Sequence, residues 1–176
     1  MSKLQTNAIR HLGSAVDNLT FDSSGRVLMP NQPAFRACLG ATQTYTFSGS
    51  KDIALSYCPS NLNRGGHYNP TTGLFTAPVS GLYCFQFGAV ALSPGAEGFL
   101  VLEPLINGAI NGLAYSSSAY IKVHESGSNS STILSLAAGD TVKYNVYTPV
   151  SITFGNSDVG HTWPEGRTFM SGFLIG

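Results

Sequence analysis

Apolar and polar residues alternate in short runs along most of this chain, and glycine and proline separate the runs. The clearest run is residues 82–87, where Tyr83, Phe85 and Phe87 occupy every second position. In an extended chain such residues share one face, because successive side chains point to opposite sides. We therefore predict a strand here whose aromatic face lies in a core.

Further runs of strand-like composition follow one another, with turn residues between them. They are residues 35–39, 44–47, 53–58, 74–76, 99–102, 105–106, 120–124, 132–136, 141–147, 151–154, 168–170 and 172–175. Clusters of Asn, Pro, Gly and Asp predict turns at residues 69–73, 107–108 and 138–140. Residues 127–131 are predicted to be a flexible polar loop. Short strands at this regular spacing predict an all-β sandwich.

The first 33 residues differ from the rest, so residues 1–33 are predicted to form an extended arm and residues 34–176 the head. Within the arm, residues 19–21 and 26–29 flank a turn that begins with Asp and ends with Gly, which predicts a β-hairpin. Residues spaced to share one face of a short preceding helix are Leu4, Ile9, Leu12 and Val16. A lone hairpin is marginal in water, so we expect it to pack on the head, a sister arm or another protein.

The charge content of the chain is unusually low. Charged residues make up 10% of it, against roughly 25% in an ordinary soluble domain, and the formal net charge is zero. This balance argues against nucleic acid as a partner. Either a surface of Ser, Thr and Asn or a surface hidden in an oligomer explains the low charge. No apolar run approaches the roughly 18 residues of a membrane span, so no membrane insertion is predicted.

The three cysteines are odd in number and show no metal-ligand spacing. No signal peptide is recognisable at the start of the sequence, so synthesis in a cytosol is expected. Under those conditions Cys38, Cys58 and Cys84 are predicted to be reduced and buried, with Cys84 the most buried.

Catalytic patterns are missing from the sequence. Glycan cleavage needs two carboxylates about 5 to 10 Å apart, and no such pair stands out. The four histidines have no ligand spacing, and there is no strained Gly-x-Ser-x-Gly turn. Asp140 is interpreted as a turn residue. We predict no enzyme activity, no metal and no cofactor.

Binding therefore becomes the expected role, and residues 155–167 form the longest late loop. Trp and Arg are frequent in binding hot spots, and loops on rigid sandwiches carry recognition. His161, Trp163 and Arg167 are therefore the candidate receptor-binding residues. The alternative is that His161 and Trp163 pack against the end of the sandwich. A weaker candidate surface combines Tyr115, Tyr120 and Asn129.

A group of spaced residues resembles the C1q-like domain of the tumour necrosis factor superfamily. Its members are Tyr68, Pro70, Gly73, Phe75, Pro78, Gly81, Tyr83, Phe85, Gly139, Asp140, Gly172 and Phe173. The resemblance covers roughly residues 34–176. It implies a jelly-roll sandwich that packs as a homotrimer and binds a ligand on its outer surface, without chemistry. It also implies that Tyr83, Phe85 and Phe173 divide between the core and the threefold axis.

The hairpin carries a second resemblance. Residues 19–27 and 29–35 are similar to the lead-in of structural proteins of tailed bacteriophages, particularly those of marine and cyanobacterial hosts. In such proteins the lead-in precedes an adhesion-like or C1q-like domain. By this resemblance the residues expected to dock the arm are Phe21, Arg26, Val27 and Met29.

Together the two resemblances imply a homotrimeric phage virion protein, either a tail fibre, a spike or a capsid-mounted fibre. Its arm would attach to other virion proteins, and its head would bind a host-surface glycan or protein, or only decorate the particle. The expected location is the surface of the virion. Two alternatives stay open, a cellular C1q-like binding or signalling module and a glycan-degrading enzyme on a jelly roll.

Overall fold

The computed structural model describes residues 6–13, 15, 19–40, 43–91, 96–110, 117–121, 126–155 and 167–176, without the side chains at 117–119, 126 and 155. Contacts between residues divide the chain into Met1–Gln32 and Pro33–Gly176. Each of these units is described by itself.

The first unit contains a small antiparallel sheet in the order β1 (Ala8–Ile9), β2 (Leu19–Phe21) and β3 (Val27–Leu28). The predicted hairpin between β2 and β3 is confirmed. Its turn is held by Asp22, whose carboxylate accepts hydrogen bonds from the Ser24 amide at 2.8 Å and the Arg26 amide at 3.0 Å. These bonds and the Arg26 side chain lower the pKa of Asp22.

The helix predicted before the hairpin is wrong for the described residues. Ile9 lies in β1, where it pairs with Leu19, and the Leu12 side chain is fully exposed. A short helix is stable in a protein only when it can bury its apolar face. Leu12 packs against nothing in the described residues, and the glycine that follows it, Gly13, disfavours a helix.

The second unit is built from two antiparallel sheets. Its strands are β4 (Ala34–Cys38), β5 (Thr44–Ile53), β6 (Asn63–Arg64), β7 (Tyr68–Asn69), β8 (Leu74–Thr76), β9 (Gly81–Ala91), β10 (Gly98–Ile106), β11 (Ala109–Ile110), β12 (Ser117–Ile121), β13 (Ser126–Leu136), β14 (Thr141–Gly155) and β15 (Phe169–Leu174). The front sheet has the order β13-β9-β15-β4-β6 among the described residues. The back sheet has the order β11-β10-β14-β8-β7, with β12 beside β10 and β5 beside β14. A 3₁₀ turn at Ser60–Leu62 precedes β6.

The core lies between the two sheets. Tyr83, Phe85 and Phe87 are buried on the inner face of β9, as the alternation predicts. From the back sheet, Tyr144 stacks on Phe87 with ring centroids 5.4 Å apart. The Tyr144 hydroxyl donates a hydrogen bond to the Gly88 carbonyl at 2.9 Å. The predicted all-β sandwich is confirmed.

Two strands are longer than predicted. Residues 127–131, expected as a flexible loop, belong to β13, which pairs with β9 continuously from Ser126 to Leu136. Small polar side chains can occupy a strand when a long neighbour supplies its backbone hydrogen bonds. Strand β14 continues past Pro149, because a register shift against β5 between Thr148 and Ile152 accommodates the proline.

Strands β5 and β10 of the back sheet also differ from the prediction. Residues 44–47 and 53 belong to a single strand, β5, and residues 54–58 follow it without strand structure apart from a bridge between Tyr57 and Cys38. The strands predicted on either side of Pro104 are one strand, β10. At Pro104 this strand is paired with β14 alone among the described strands, so the missing amide hydrogen is tolerated.

All three cysteines are free thiols, but the burial prediction needs correction. Cys38 is the buried one, whereas Cys58 and Cys84 are partly exposed. Cys84 lies on the outer face of β9, because Tyr83 and Phe85 on either side of it point inward. Burial raises the pKa of the Cys58 thiol to about 11, so this group is protonated at neutral pH.

A buried tyrosine ties the chain after β5 to the rest of the head. The Tyr68 hydroxyl donates to the Leu55 carbonyl at 3.0 Å and accepts from the Leu55 amide at 3.2 Å. Both residues are buried, and burial raises the pKa of Tyr68. A segment without strand pairing therefore has its backbone groups satisfied by a side chain.

We expect Tyr68→Phe to destabilise the head by about 1–3 kcal/mol, because it leaves the buried amide and carbonyl of Leu55 without this partner. Denaturant unfolding of the full chain measures the change. The matched control is Tyr57→Phe, since Tyr57 is 37% exposed and should change stability by less than about 0.5 kcal/mol. Equal unfolding midpoints for the two variants would contradict the prediction.

Candidate binding surfaces

Of the candidate receptor-binding residues, one lies in the described part of the chain. His161 and Trp163 are outside the described residues. Arg167 is exposed just before β15 and lines a groove of about 330 Å³ together with Arg36, Asn129 and Phe169. Sequence reasoning selected Arg167, and it placed Asn129 on a weaker surface with Tyr120 and with Tyr115, which lies outside the described residues. It did not select Arg36 or Phe169, because these residues come from β4 and β15 and reach the groove only through strand pairing.

The groove belongs to the outer face of the front sheet. The guanidinium carbon of Arg36 lies 4.7 Å from the centre of the Phe169 ring, in cation–π geometry. Phe169 and Asn129 lean over Gly88, where a Cβ atom would clash with both side chains. A second groove of about 500 Å³ continues from there past Gln86.

At its other end the same face is apolar. Ile133, Cys84 and Phe173 are register partners across β13, β9 and β15. Ile133 is 61% exposed and Phe173 46%, and Leu82 next to them is 47% exposed. We call Leu82, Ile133 and Phe173 the apolar patch. Of the three aromatics expected to divide between core and axis, Tyr83 and Phe85 are in the core, whereas Phe173 is on this outer face.

Most residues of the family resemblance are structural. Phe75 from the back sheet stacks on Phe35 at 5.1 Å and meets Phe85 edge-on at 5.4 Å. Gly172 lies directly beneath this cluster, where a Cβ atom would come within 2.7 Å of the Phe85 ring and 2.8 Å of the Phe35 ring. Only a residue without a side chain fits there. Gly81 is the first residue of β9.

The predicted turn at residues 69–73 is confirmed and contains Pro70. The Asn69 side chain accepts the Thr71 amide at 2.9 Å, and the Gly73 amide donates to the Asn69 carbonyl at 2.8 Å. Gly73 has φ of 71°, a conformation that favours glycine. The side chain of Asn69 thus closes the bend that leads into β8.

The turn between β13 and β14 is held by the Asp140 carboxylate. It accepts hydrogen bonds from the Ala137 amide at 2.8 Å and from the Asn107 side chain at 2.9 Å. The Asn107 bond and then the Ala137 bond lower the pKa of Asp140. Ala77, just before Pro78, bonds to the backbone of Gly139 and Asp140. Asp140 therefore joins two turns, in agreement with its interpretation as a turn residue.

The candidate docking residues of the arm differ in exposure. Phe21 is partly buried, and Arg26 forms an ion pair with Asp22 at 2.6 Å. Val27 is 56% exposed and Met29 49% exposed. The described part of the arm therefore presents apolar side chains on the second strand of its hairpin.

Within the described ranges, no group of three or more His, Cys, Asp or Glu side chains is placed to hold a metal ion. The described residues also include no helix that is long and apolar enough to cross a membrane.

The sequence matches a known protein family, and the fold is similar to solved structures. The family model of the C1q domain matches residues 34–175. The globular domain of zebrafish complement 1qA has a TM-score of 0.56 at 22% identity, and the match covers 82% of this chain and 98% of that one. Eiger TNF from S. frugiperda has a TM-score of 0.59 at 14% identity, covering 83% and 94%. Murine APRIL has a TM-score of 0.54 at 12% identity, covering 82% and 99%. No curated protein is significantly similar to this chain. The predicted jelly-roll sandwich is confirmed.

We expect the stability difference between the wild-type chain and Asp140→Asn to depend on pH. Because folding lowers the pKa of Asp140 below its ordinary value of 3.8, the carboxylate stabilises the fold fully above that pH. This contribution to stability is lost as the pH falls through the lowered pKa that Asp140 has in the folded state. Melting temperatures measured between pH 7 and pH 2 should thus differ most near neutrality and converge in acid. A difference that is independent of pH would contradict the assigned role of the charge.

Proposed function

This chain belongs to the C1q domain family, and on that premise we propose that its head forms a homotrimer that binds a cell-surface receptor. The observation that supports the proposal is the apolar patch on the front sheet. Large apolar side chains that lie together on an outer face are typical of protein interfaces. In the described chain the patch is made by three adjoining strands, so it is a rigid surface.

The surroundings of the patch also suit an interface. Its register partners Cys84, Ser135 and Ala34 are small and uncharged. Charge begins at the edge of the patch, where Arg36 and Arg64 line a pocket together with Phe173. Depletion of charge is typical of the core of an interface. Phe173 can supply the aromatic anchor that such interfaces favour. The low charge of the whole chain is consistent with the same arrangement.

A trimer suits a receptor-binding head because three weak sites act together. Once one site is bound, the effective concentration of the other two raises the overall affinity without new contacts. The proposed activity is binding rather than catalysis.

We extend the proposal to the finer assignment that the chain is a virion protein of a tailed phage, held on the particle by its arm. Its support is the sequence resemblance of residues 19–27 and 29–35, together with the exposed Val27 and Met29 on the hairpin. The similar structures named above are animal proteins, and none of them carries this assignment. The particle surface is accordingly the proposed location.

We expect the full chain to have three times the protomer mass in solution, and Ile133→Glu to reduce it to the protomer mass. A buried unpaired carboxylate at the interface would cost more than the association can supply. Light scattering at micromolar concentration measures the mass. The matched control is Ile110→Glu, because Ile110 is 60% exposed and lies on β11 of the back sheet. A monomeric wild-type chain, or equal dissociation of both variants, would refute the proposal.

For the arm, we expect Val27→Asp to prevent attachment of the chain to phage particles while the head stays trimeric. The introduced charge would oppose burial of the hairpin against another virion protein. The measurement is immunodetection of the chain in gradient-purified particles from cultures that carry its gene. Leu12→Asp is the control, since Leu12 is fully exposed in the same unit. The virion assignment is overturned if the wild-type chain is missing from the particles or the Val27 variant attaches normally.

A further inference from the structure

The outer face of the back sheet carries three aromatic side chains from three neighbouring strands. Tyr120 of β12 is the register partner of Phe99 of β10, and the Phe99 and Tyr147 rings are 5.9 Å apart between centroids. Phe99 is 43% exposed and Tyr120 64% exposed. We call these three residues the aromatic strip.

A row of hydrogen-bonded polar side chains borders the strip on one side. The Asn145 amide donates to the Glu103 carboxylate at 3.2 Å and to the Ser50 hydroxyl at 3.0 Å. Asn145 is 1% exposed, so this row is held in place by packing as well as by hydrogen bonds. Glu103 and Asn145 are register partners and lie two residues along their strands from the Val101–Tyr147 pair, on the same face of the sheet. The carboxylate of Glu103 keeps lone pairs for further donors.

A second carboxylate lies at the opposite end of the strip. The Tyr120 hydroxyl donates to the Glu97 carboxylate at 2.7 Å. This bond fixes the ring and the carboxylate relative to each other. Acceptors for hydroxyl groups are therefore present at both ends of a row of ring faces.

The charge of this surface limits what can bind to it. Glu97 and Glu103 are negative, and Lys143 in the next row is 3.0 Å from the Asp52 carboxylate, which neutralises it. Sulfated, phosphorylated or carboxylated ligands would be repelled by the two glutamates. A neutral ligand that combines apolar patches with many hydroxyl donors matches both features of the surface.

We propose that the aromatic strip binds a neutral glycan of the receptor. The C–H faces of sugar rings pack against Phe99, Tyr120 and Tyr147, which removes apolar surface from water. Sugar hydroxyls donate hydrogen bonds to the carboxylates of Glu97 and Glu103, and such charge-assisted bonds are stronger than neutral ones. The rings and Glu103 stand on paired strands, and Glu97, just before β10, is held by its hydrogen bond from Tyr120, so these groups are in place before the ligand binds.

The glycan site rests on the proposed function and divides the two faces of the sandwich. The front sheet carries the apolar patch assigned to trimer contacts, so the outer face of the back sheet is free for a ligand. Each trimer would present three copies of the strip, and weak single-site binding would become strong on a surface dense in glycans.

The test is binding of the full chain to a printed panel of neutral, sulfated and sialylated oligosaccharides. We expect binding to neutral members, and Phe99→Ala to weaken it about tenfold, the loss typical of an aromatic anchor. Glu103→Gln keeps the shape of the side chain and should weaken binding severalfold, so the site can be tested even if Phe99→Ala does not fold. Tyr57→Ala is the control, because Tyr57 is an exposed tyrosine that lies away from the strip.

Light scattering on the same samples separates the two proposals. A trimer that binds no neutral glycan, that binds only acidic ones, or that binds equally well after the Phe99 and Glu103 changes refutes the glycan site and leaves the trimer standing. Capture of a protein receptor by both variants, without glycan binding, also refutes it. A monomeric chain that binds neutral glycans through the strip refutes the trimer and leaves the site standing.

Discussion

The aromatic contact between the two sheets is the constraint on which the rest of the head depends. Phe75 reaches from the back sheet into a space bounded by Phe35, Tyr83 and Phe85 of the front sheet, with ring centroids 5.1 to 5.6 Å apart. These rings fit only because Gly172 presents no side chain to them. Aromatic pairs in such geometries add stability beyond the area that they bury. The strands β4, β8, β9 and β15 are thereby held together across the two sheets.

The register of the strands decides the chemistry of the outer surface. Side chains alternate along a strand, so burying Tyr83, Phe85 and Phe87 places Leu82, Cys84 and Gln86 outside. Pairing then brings Ile133 and Phe173 beside Cys84. A shift of one residue would put the apolar patch into the core and the aromatic core into water. The core and the proposed trimer contact are therefore two consequences of the same pairing.

The sequence predicted the features that depend on local pattern. The aromatic alternation of β9, the hairpin of the arm and the turn at Asn69 are each encoded within about ten residues, and each is confirmed. The first half of β13 was missed because its serine-rich sequence has no apolar alternation, and only its pairing with β9 makes residues 126–131 a strand. The continuity of β14 past Pro149 likewise depends on a bulge against β5, a partner about a hundred residues away.

The candidate sites were less accessible to sequence reasoning for the same physical reason. Phe99, Tyr120 and Tyr147 are more than twenty residues apart from one another in the chain, and strand pairing alone makes them neighbours. Tyr120 could be selected as a surface aromatic, but its partners could not.

The two outer faces of a sandwich differ in chemistry, because the side chains on each face are those that alternate with the buried residues of its own strands. Here one face inherits aliphatic residues and Phe173, with Arg36 and Arg64 at the edge of the patch, and the other inherits rings flanked by carboxylates. The apolar front face suits self-association, and the rings and carboxylates of the back face suit a ligand with many hydroxyl groups. One domain can therefore carry both proposed roles on separate surfaces.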